Sequence, residues 1–202
     1  MEKLRLGVLA SGRGSNLQSI LDHCHQGLVP AEVVVVISDK PGAYALERAR
    51  VAGIPAYTVE PKSYSTKDEY EQQIVTHLRE AGVQLVCLAG YMRLVGQTLL
   101  RAFPNGIMNI HPALLPAFPG LHGHRDALAY GVKVSGCTVH FIDEGMDTGP
   151  IILQSAVPVL EGDTEESLSA RILEQEHRLY PEAIKLYAQG RLHVQGRTVR
   201  II

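Results

Sequence analysis

Apolar and polar positions follow two alternating patterns along the first half of the chain. One pattern is a short, almost continuous apolar run, often β-branched, which is typical of strands buried on both faces of a sheet. The other places apolar side chains three and four residues apart, which is typical of helices with one buried face. The predicted strands are residues 6–10, 33–37, 56–59, 85–89 and 106–108, and the predicted helices are residues 17–25, 44–52, 67–81 and 98–102.

This order of strands and helices predicts an α/β fold with a doubly wound, mostly parallel sheet. The second half differs, because strand-like runs over residues 135–142 and 151–159 are separated only by a turn-rich loop. We expect these two runs to form an antiparallel extension of the sheet. A long helix with an acidic start is predicted over residues 165–188. No linker or repeat interrupts the chain, so we expect one domain over residues 1–202.

Composition narrows the class of protein. The chain has 202 residues, of which 46% are hydrophobic and 20% charged, and its formal net charge is −2. These values are typical of a soluble globular protein and argue against a general nucleic-acid binder. No apolar run reaches about 18 residues, so no transmembrane helix and no membrane partner are expected. The first residues show no signal-peptide pattern, and we expect a cytoplasmic protein.

Three cysteines, Cys24, Cys87 and Cys137, are widely spaced and form no Cys-x-x-Cys pair. Cys87 and Cys137 lie in strand-like runs, so the sequence favours buried thiols in a reducing compartment. A catalytic cysteine is the alternative that the spacing leaves open.

The segment Asn109-Ile110-His111-Pro112 carries the clearest catalytic signal. Asn109 and His111 are two residues apart on an extended chain, so their side chains leave the same face and can stabilise one developing oxyanion. Asp147 ends a loop behind another apolar run and can tune or relay the proton of the imidazole. This trio suits acyl transfer to an amine without a covalent nucleophile. The alternative is a structural histidine that is simply hydrogen-bonded at a strand end.

A glycine-containing turn with the sequence Ser-Gly-Arg-Gly-Ser-Asn separates the first strand from the first helix over residues 11–16. Two glycines allow backbone amides to turn inward at a helix N-terminus, which predicts a phosphate site. Leu17 stands where a dinucleotide fingerprint has its third glycine or alanine, although Asp39 after the second strand keeps a nicotinamide cofactor as an alternative. A plain turn with Ser15 as the helix N-cap is the structural alternative.

Two further segments have open interpretations. The run Leu121-His122-Gly123-His124-Arg125 places two histidines as some zinc sites do. No matching cysteine or Glu-x-x-His pattern accompanies them, so we predict a loop that lines a site, and no metal. Residues 88–95 place apolar side chains after a glycine turn, which suits either a slot for a flat ring or ordinary core.

Together these segments resemble the glycinamide ribonucleotide formyltransferases, purine-biosynthesis enzymes that use 10-formyltetrahydrofolate. The resemblance extends from Leu6 to about Leu192 and is carried by residues 11–18, 88–93, 109–116, 119–122 and 147–152. It implies a Rossmann-like formyltransferase fold, with a phosphate-binding half over about residues 1–105 and a folate-binding, catalytic half over about residues 106–202. It also implies formyl transfer from 10-formyltetrahydrofolate, as co-substrate, to the amine of glycinamide ribonucleotide, by a monomer or homodimer.

The same resemblance assigns expected functions to individual residues. The catalytic residues would be Asn109, His111 and Asp147. The ribonucleotide would contact Gly14, Ser15, Asn16 and Glu176. The folate would contact Lys67, Met92, Arg93, Leu94, Val95, Asn109, Asp143 and Asp147. Folate is anionic, so Lys67 and Arg93 are expected to attract it.

Two positions depart from the family pattern. Ala117 stands where relatives commonly have Lys or Arg, and Ala113 replaces a common Ser. Both departures bear on affinity and leave the catalytic trio intact. A formyltetrahydrofolate hydrolase and a non-catalytic sensor of a phosphorylated ligand are the alternative functions. A transfer-RNA formyltransferase would need a further C-terminal domain and a basic surface, which we do not expect here.

Overall fold

Nine strands form one mixed sheet in a computed structural model that describes residues 2–202. The strands are β1 (Leu4–Leu9), β2 (Ala31–Ser38), β3 (Ala56–Thr58), β4 (Leu85–Leu88), β5 (Ile107–His111), β6 (Val134–Phe141), β7 (Ile151–Pro158), β8 (Leu192–Gln195) and β9 (Thr198–Ile201). The helices are α1 (Ser15–His25), α2 (Tyr44–Val51), α3 (Lys67–Glu80), α4 (Gln97–Ala102), α5 (Gly123–Tyr130) and α6 (Glu165–Ala188).

The strand order across the sheet is β3-β2-β1-β4-β5-β6-β7-β9-β8. Strands β1 to β5 pair in parallel, whereas β6 is antiparallel to both β5 and β7. The predicted parallel sheet and its antiparallel extension are therefore confirmed. The order reverses direction between β1 and β4, and in open α/β sheets ligands bind at the carboxyl ends of the strands near such a reversal.

Helices cover both faces of the sheet. Helices α1, α2 and α6 pack on one face, and α3 and α4 pack on the other. Strand β4 shows why the sequence folds this way: Leu85 and Cys87 contact the first group of helices, and Val86 and Leu88 contact the second. Alternate residues of a strand point to opposite faces, so a continuous apolar run serves both cores. The doubly wound arrangement is thus confirmed.

Several local features differ from the sequence predictions. The segment predicted as a loop at residues 121–125 enters helix α5 at Gly123, so His124 and Arg125 are helical. Gly131 ends this helix in a left-handed conformation, with φ of 82°, as glycine commonly does at the end of a helix. The hairpin β8–β9 was also not predicted. Helix α1 begins at Ser15 with Gly14 as its N-cap, so the alternative that Ser15 is the cap is wrong.

The carboxyl ends of β1, β4 and β5 bring the polar segments to one edge of the sheet. Leu88, the last residue of β4, pairs with Asn109 of β5. The turn after β1 meets the turn after β4, because the Ser11 amide donates to the Gly90 carbonyl over 3.0 Å. Over residues 2–202, no helix has the length and apolar character needed to cross a membrane.

Candidate active site

A cavity of about 360 Å³ opens at the carboxyl ends of β4 and β5. Its walls are formed by residues 90–95, by the end of β5, by Gly120 and Leu121, and by the loop that follows β6. Met92, Leu94 and Met146 are each about half exposed here, at 52%, 57% and 49%. The cavity therefore offers apolar surface for a flat ring next to a small number of polar side chains, which is the usual composition of a ligand site.

The three predicted catalytic residues all line this cavity. Asn109 and His111 lie two residues apart on β5, and their side chains therefore share one face of the sheet. Asp147 approaches from the loop after β6, with its Oδ2 3.5 Å from His111 Nδ1. At this distance the carboxylate would form an ion pair with a protonated His111 ring.

Backbone geometry fixes Asp147 in this position. Asp147 has φ of 53°, in the left-handed region that Asp tolerates better than most residues. Its Oδ2 accepts a hydrogen bond from the Gly120 amide over 2.8 Å. Two residues later the loop returns so close to β6 that a Cβ on Gly149 would lie 1.8 Å from the Phe141 carbonyl oxygen. Only glycine permits this return, so the sequence Asp-Thr-Gly-Pro specifies the loop that presents the carboxylate.

The orientation of the His111 ring is set by a backbone carbonyl. His111 Nε2 lies 2.7 Å from the Phe118 carbonyl oxygen, and a carbonyl can only accept, so Nε2 carries the hydrogen. Nδ1 is thereby the nitrogen that faces Asp147. Phe118 has φ of 52°, so the chain adopts a left-handed conformation where it provides this carbonyl. The loop that follows His111 in the chain therefore orients the His111 ring.

A fourth polar residue contacts this site, His140, and the sequence patterns did not predict it. It is fully buried on β6 directly opposite Asn109. Its Nδ1 lies 2.9 Å from the Phe141 carbonyl oxygen, and its Nε2 lies 3.2 Å from Asn109 Nδ2 and 3.7 Å from Asp147 Oδ1. Burial lowers the pKa of His140, which favours the neutral ring. In that form Nδ1 donates to Phe141 and Nε2 accepts from Asn109, so His140 orients the Asn109 amide.

A histidine in a buried, largely apolar strand was the available signal for His140. The surrounding run, Cys137-Thr138-Val139-His140-Phe141, is buried throughout. Buried polar groups in such a run almost always have partners. The partner could not be identified without the register between β5 and β6, which places His140 opposite Asn109.

We expect His140→Phe to lower turnover about tenfold, since small misplacements of an active-site group are costly. The ring volume is nearly kept, but Asn109 loses the acceptor that orients its amide. Steady-state kinetics with both substrates would measure the effect, and thermal unfolding would check that the core is intact. Wild-type turnover in a folded His140→Phe protein would show that Asn109 needs no such support.

The predicted ribonucleotide residues form a second polar group beside the cavity. Asn16 Nδ2 donates to Glu176 Oε2 over 2.7 Å, and both side chains are buried. Burial raises the pKa of Glu176, and Asn16 Oδ1 finds no hydrogen-bond partner among residues 2–202. Glu176 lies one helical turn before Tyr180, whose hydroxyl is 3.0 Å from the Met108 carbonyl oxygen. Glu176 and Tyr180 therefore lie on the same face of α6.

Gly14 shapes the turn on which these residues stand. Its φ is 72°, and a Cβ there would lie 2.8 Å from both Cα and Cβ of Ala45 on α2. The turn therefore packs closely against α2. Two features favour glycine at this position: the left-handed backbone angle and the lack of space for a Cβ. Ser15 follows as the first residue of α1, so its backbone amide belongs to the unpaired first turn that favours anions.

The predicted folate residues divide into two groups. All of them except Lys67 line the cavity: Met92, Arg93, Leu94, Val95, Asn109, Asp143 and Asp147. Lys67 is not part of the lining, and its Nζ lies 3.8 Å from Glu71 Oε1. Arg93 Nε lies 2.8 Å from Asp39 Oδ2, and the Asp39 side chain is only 1% exposed. Asp39 therefore cannot present a carboxylate to a ribose, which removes the support for a dinucleotide site.

The remaining chemical alternatives gain no support from the structure. Burial raises the pKa of Cys24 to about 11 and that of Cys137 to about 12, and burial also raises the pKa of Cys87, so none is a ready nucleophile. Within residues 2–202, no three His, Cys, Asp or Glu side chains are grouped to hold a metal ion.

Of the two positions that depart from the family pattern, Ala113 is fully buried and Ala117 is exposed.

Comparison with known proteins identifies the family to which the chain belongs. A family model described as formyl transferase matches residues 4–184. Among solved structures, glycinamide ribonucleotide transformylase 1 from Symbiobacterium toebii is 59% identical, with a TM-score of 0.98. The match covers 100% of this chain and 95% of that chain.

Two relatives of very different total length also match. Phosphoribosylglycinamide formyltransferase from Bacillus subtilis (strain 168) is 49% identical over 181 residues, which cover 90% of this chain and 93% of that protein. The trifunctional purine biosynthetic protein adenosine-3 from Drosophila pseudoobscura pseudoobscura is 47% identical over 190 residues, which are 93% of this chain. This match spans only 14% of the length of that relative.

Proposed function

The chain belongs to the formyl transferase family, and we propose that it transfers the formyl group of 10-formyltetrahydrofolate to the amine of glycinamide ribonucleotide. The products are formylglycinamide ribonucleotide and tetrahydrofolate, and the reaction belongs to de novo purine biosynthesis. One observation carries the proposal: Asn109, His111 and Asp147 meet in one apolar cavity, next to a glycine turn suited to a phosphate. The enzyme would act in the cytoplasm on these two small molecules, as a monomer or homodimer.

In the proposed reaction the neutral amine attacks the formyl carbon, and the carbonyl becomes a tetrahedral oxyanion. The amide of Asn109 donates to this charge, and one such donor typically contributes about 3 kcal/mol of barrier lowering. The protonated ring of His111 stabilises the same charge electrostatically, because its two nitrogens face Phe118 and Asp147. The amine then loses a proton, the bond from the formyl carbon to the folate nitrogen breaks, and that nitrogen takes up a proton. Asp147 stabilises the charged His111 ring and can pass protons through a bound water.

The two substrates would occupy the two neighbouring polar groups. Backbone amides at Gly14 and Ser15 would bind the phosphate, and Asn16 and Glu176 would meet the rest of the ribonucleotide. The folate ring would lie in the cavity against Met92, Leu94 and Val95. In this arrangement the amine and the formyl group would meet beside Asn109 and His111.

A formyl hydrolase is the second candidate, since a similar trio could direct water instead of an amine to the formyl group. The test mixes the protein with 10-formyltetrahydrofolate, with and without glycinamide ribonucleotide. Acceptor-dependent loss of the formyl group, with formation of the formylated ribonucleotide, supports the transferase. Loss at the same rate without the ribonucleotide supports the hydrolase, and no turnover supports a non-catalytic sensor.

Asp147→Asn removes one negative charge at almost constant shape. We expect kcat/KM at neutral pH to fall about tenfold, because the amide supports the charged His111 ring and proton transfer less well. The amide can still accept from the Gly120 N–H, so the loop should keep its conformation. Full activity in this variant would mean that Asp147 serves only to fold the loop. Thermal unfolding of the two proteins would separate a local charge effect from general destabilisation.

A further inference from the structure

The wall of the cavity over residues 90–95 lies outside helices and strands, so other parts of the chain must hold it in place. Ser11 is one of the residues that do so. Its amide donates to the Gly90 carbonyl oxygen over 3.0 Å, and its Oγ accepts from the Met92 amide over 2.9 Å. Ser11 is only 4% exposed, so both bonds are protected from water.

Ser11 also begins the turn proposed to bind the phosphate. It follows β1 closely, and three residues later Gly14 leads into α1. Ser11 is therefore a buried residue that belongs to the turn over residues 11–16, proposed to bind the phosphate, and also contacts the cavity wall over residues 90–95, proposed to bind the folate. The next residue of the wall, Arg93, has an independent attachment to Asp39, which follows β2.

We propose that Ser11 is a positioning residue that couples the two substrate sites, so that each substrate binds more tightly when the other is bound. This inference rests on the proposed function of the two sites. An anion that orders the phosphate turn also fixes Ser11, and a fixed Ser11 holds the Met92 amide. Residues 90–95 then lose less conformational entropy when the folate binds to them, so the folate binds more tightly. Coupling of this kind is reciprocal between the two ligands.

The test measures binding without chemistry, with tetrahydrofolate as the folate ligand. Calorimetric titration with and without saturating glycinamide ribonucleotide gives two Kd values, and their ratio is the coupling factor. We expect a factor of at least about fivefold for the wild-type protein, at the lower end of typical coupling. In Ser11→Ala, which lacks the Oγ acceptor, we expect the factor to fall to less than about twofold, on the same scale of coupling free energies.

Two variants make the result specific to the Ser11 hydroxyl. Ser11→Thr keeps a hydroxyl and should keep most of the coupling. Ser135→Ala is the matched control, because Ser135 is 2% exposed and its Oγ has no hydrogen-bond partner within residues 2–202. It removes a buried hydroxyl elsewhere and should leave the coupling factor unchanged. If Ser11→Ala does not fold, Ser11→Cys replaces it, since a thiol is a weak acceptor of similar size.

A coupling factor near one in the wild-type protein would overturn the proposal, as would an unchanged factor in a folded Ser11→Ala protein. The proposed function is tested separately by the formyl-transfer assay. Normal transfer with unchanged coupling in Ser11→Ala would reject only this inference. Absence of transfer in the wild-type protein would reject the proposed function itself.

Discussion

Replacement of His111 by Ala is expected to lower turnover by on the order of a hundredfold, about the typical cost of removing one group that stabilises an oxyanion. Asn109→Ala should have an effect of similar size. Both side chains are proposed to act on charge that exists only in the transition state, so substrate binding should change little. Steady-state kinetics give the turnover, and fluorescence titration of a folate analogue gives the affinity.

The structure supplies a control for this experiment and limits its interpretation. His193 lies exposed on β8, at the far edge of the sheet, and His193→Ala should keep wild-type turnover. His111→Ala also releases the Phe118 carbonyl from its hydrogen bond, so the loop over residues 112–122 could move. Loss of folate affinity in parallel with turnover would assign His111 to the scaffold of the cavity instead of to catalysis.

Gly14→Val is expected to raise the KM for glycinamide ribonucleotide by on the order of a hundredfold. The left-handed backbone costs a residue with a Cβ about 1–2 kcal/mol, and crowding adds about 1–3 kcal/mol. The crowding arises against Ala45, which would lie 2.8 Å from the new Cβ. The variant turn would relax away from α2, and substrate binding would have to restore it. The KM for the folate should stay nearly unchanged.

The effect would arise on the side of the turn that faces α2, because a Cβ at Gly14 would point at Ala45. Gly42→Val is the matched control, because a Cβ at Gly42 meets nothing within 4 Å in the described chain and its φ is not positive. An increase in the folate KM alone for Gly14→Val would mean that the turn serves the other substrate.

The sequence by itself determined the fold class and most of the elements. Continuous apolar runs between amphipathic segments are enough to specify parallel strands covered on both faces, because strand and helix periods differ. Helix α6 was predicted with the same bounds as the structure gives, since its acidic first turn and final glycine mark both ends. Helix α5 and the hairpin β8–β9 were missed, because short elements carry too few periods to stand out.

Tertiary structure alone decided how the site is assembled. Asn109 and His111 could be placed together because two-residue spacing on a strand is a local rule. His140 could not be added, because its contact with Asn109 depends on the register between β5 and β6. The pairing of Asp39 with Arg93 joins residues 54 positions apart, and Asn16 meets Glu176 across 160 positions. Local periodicity contains no information about such distances, so only the packed sheet determines which polar groups meet.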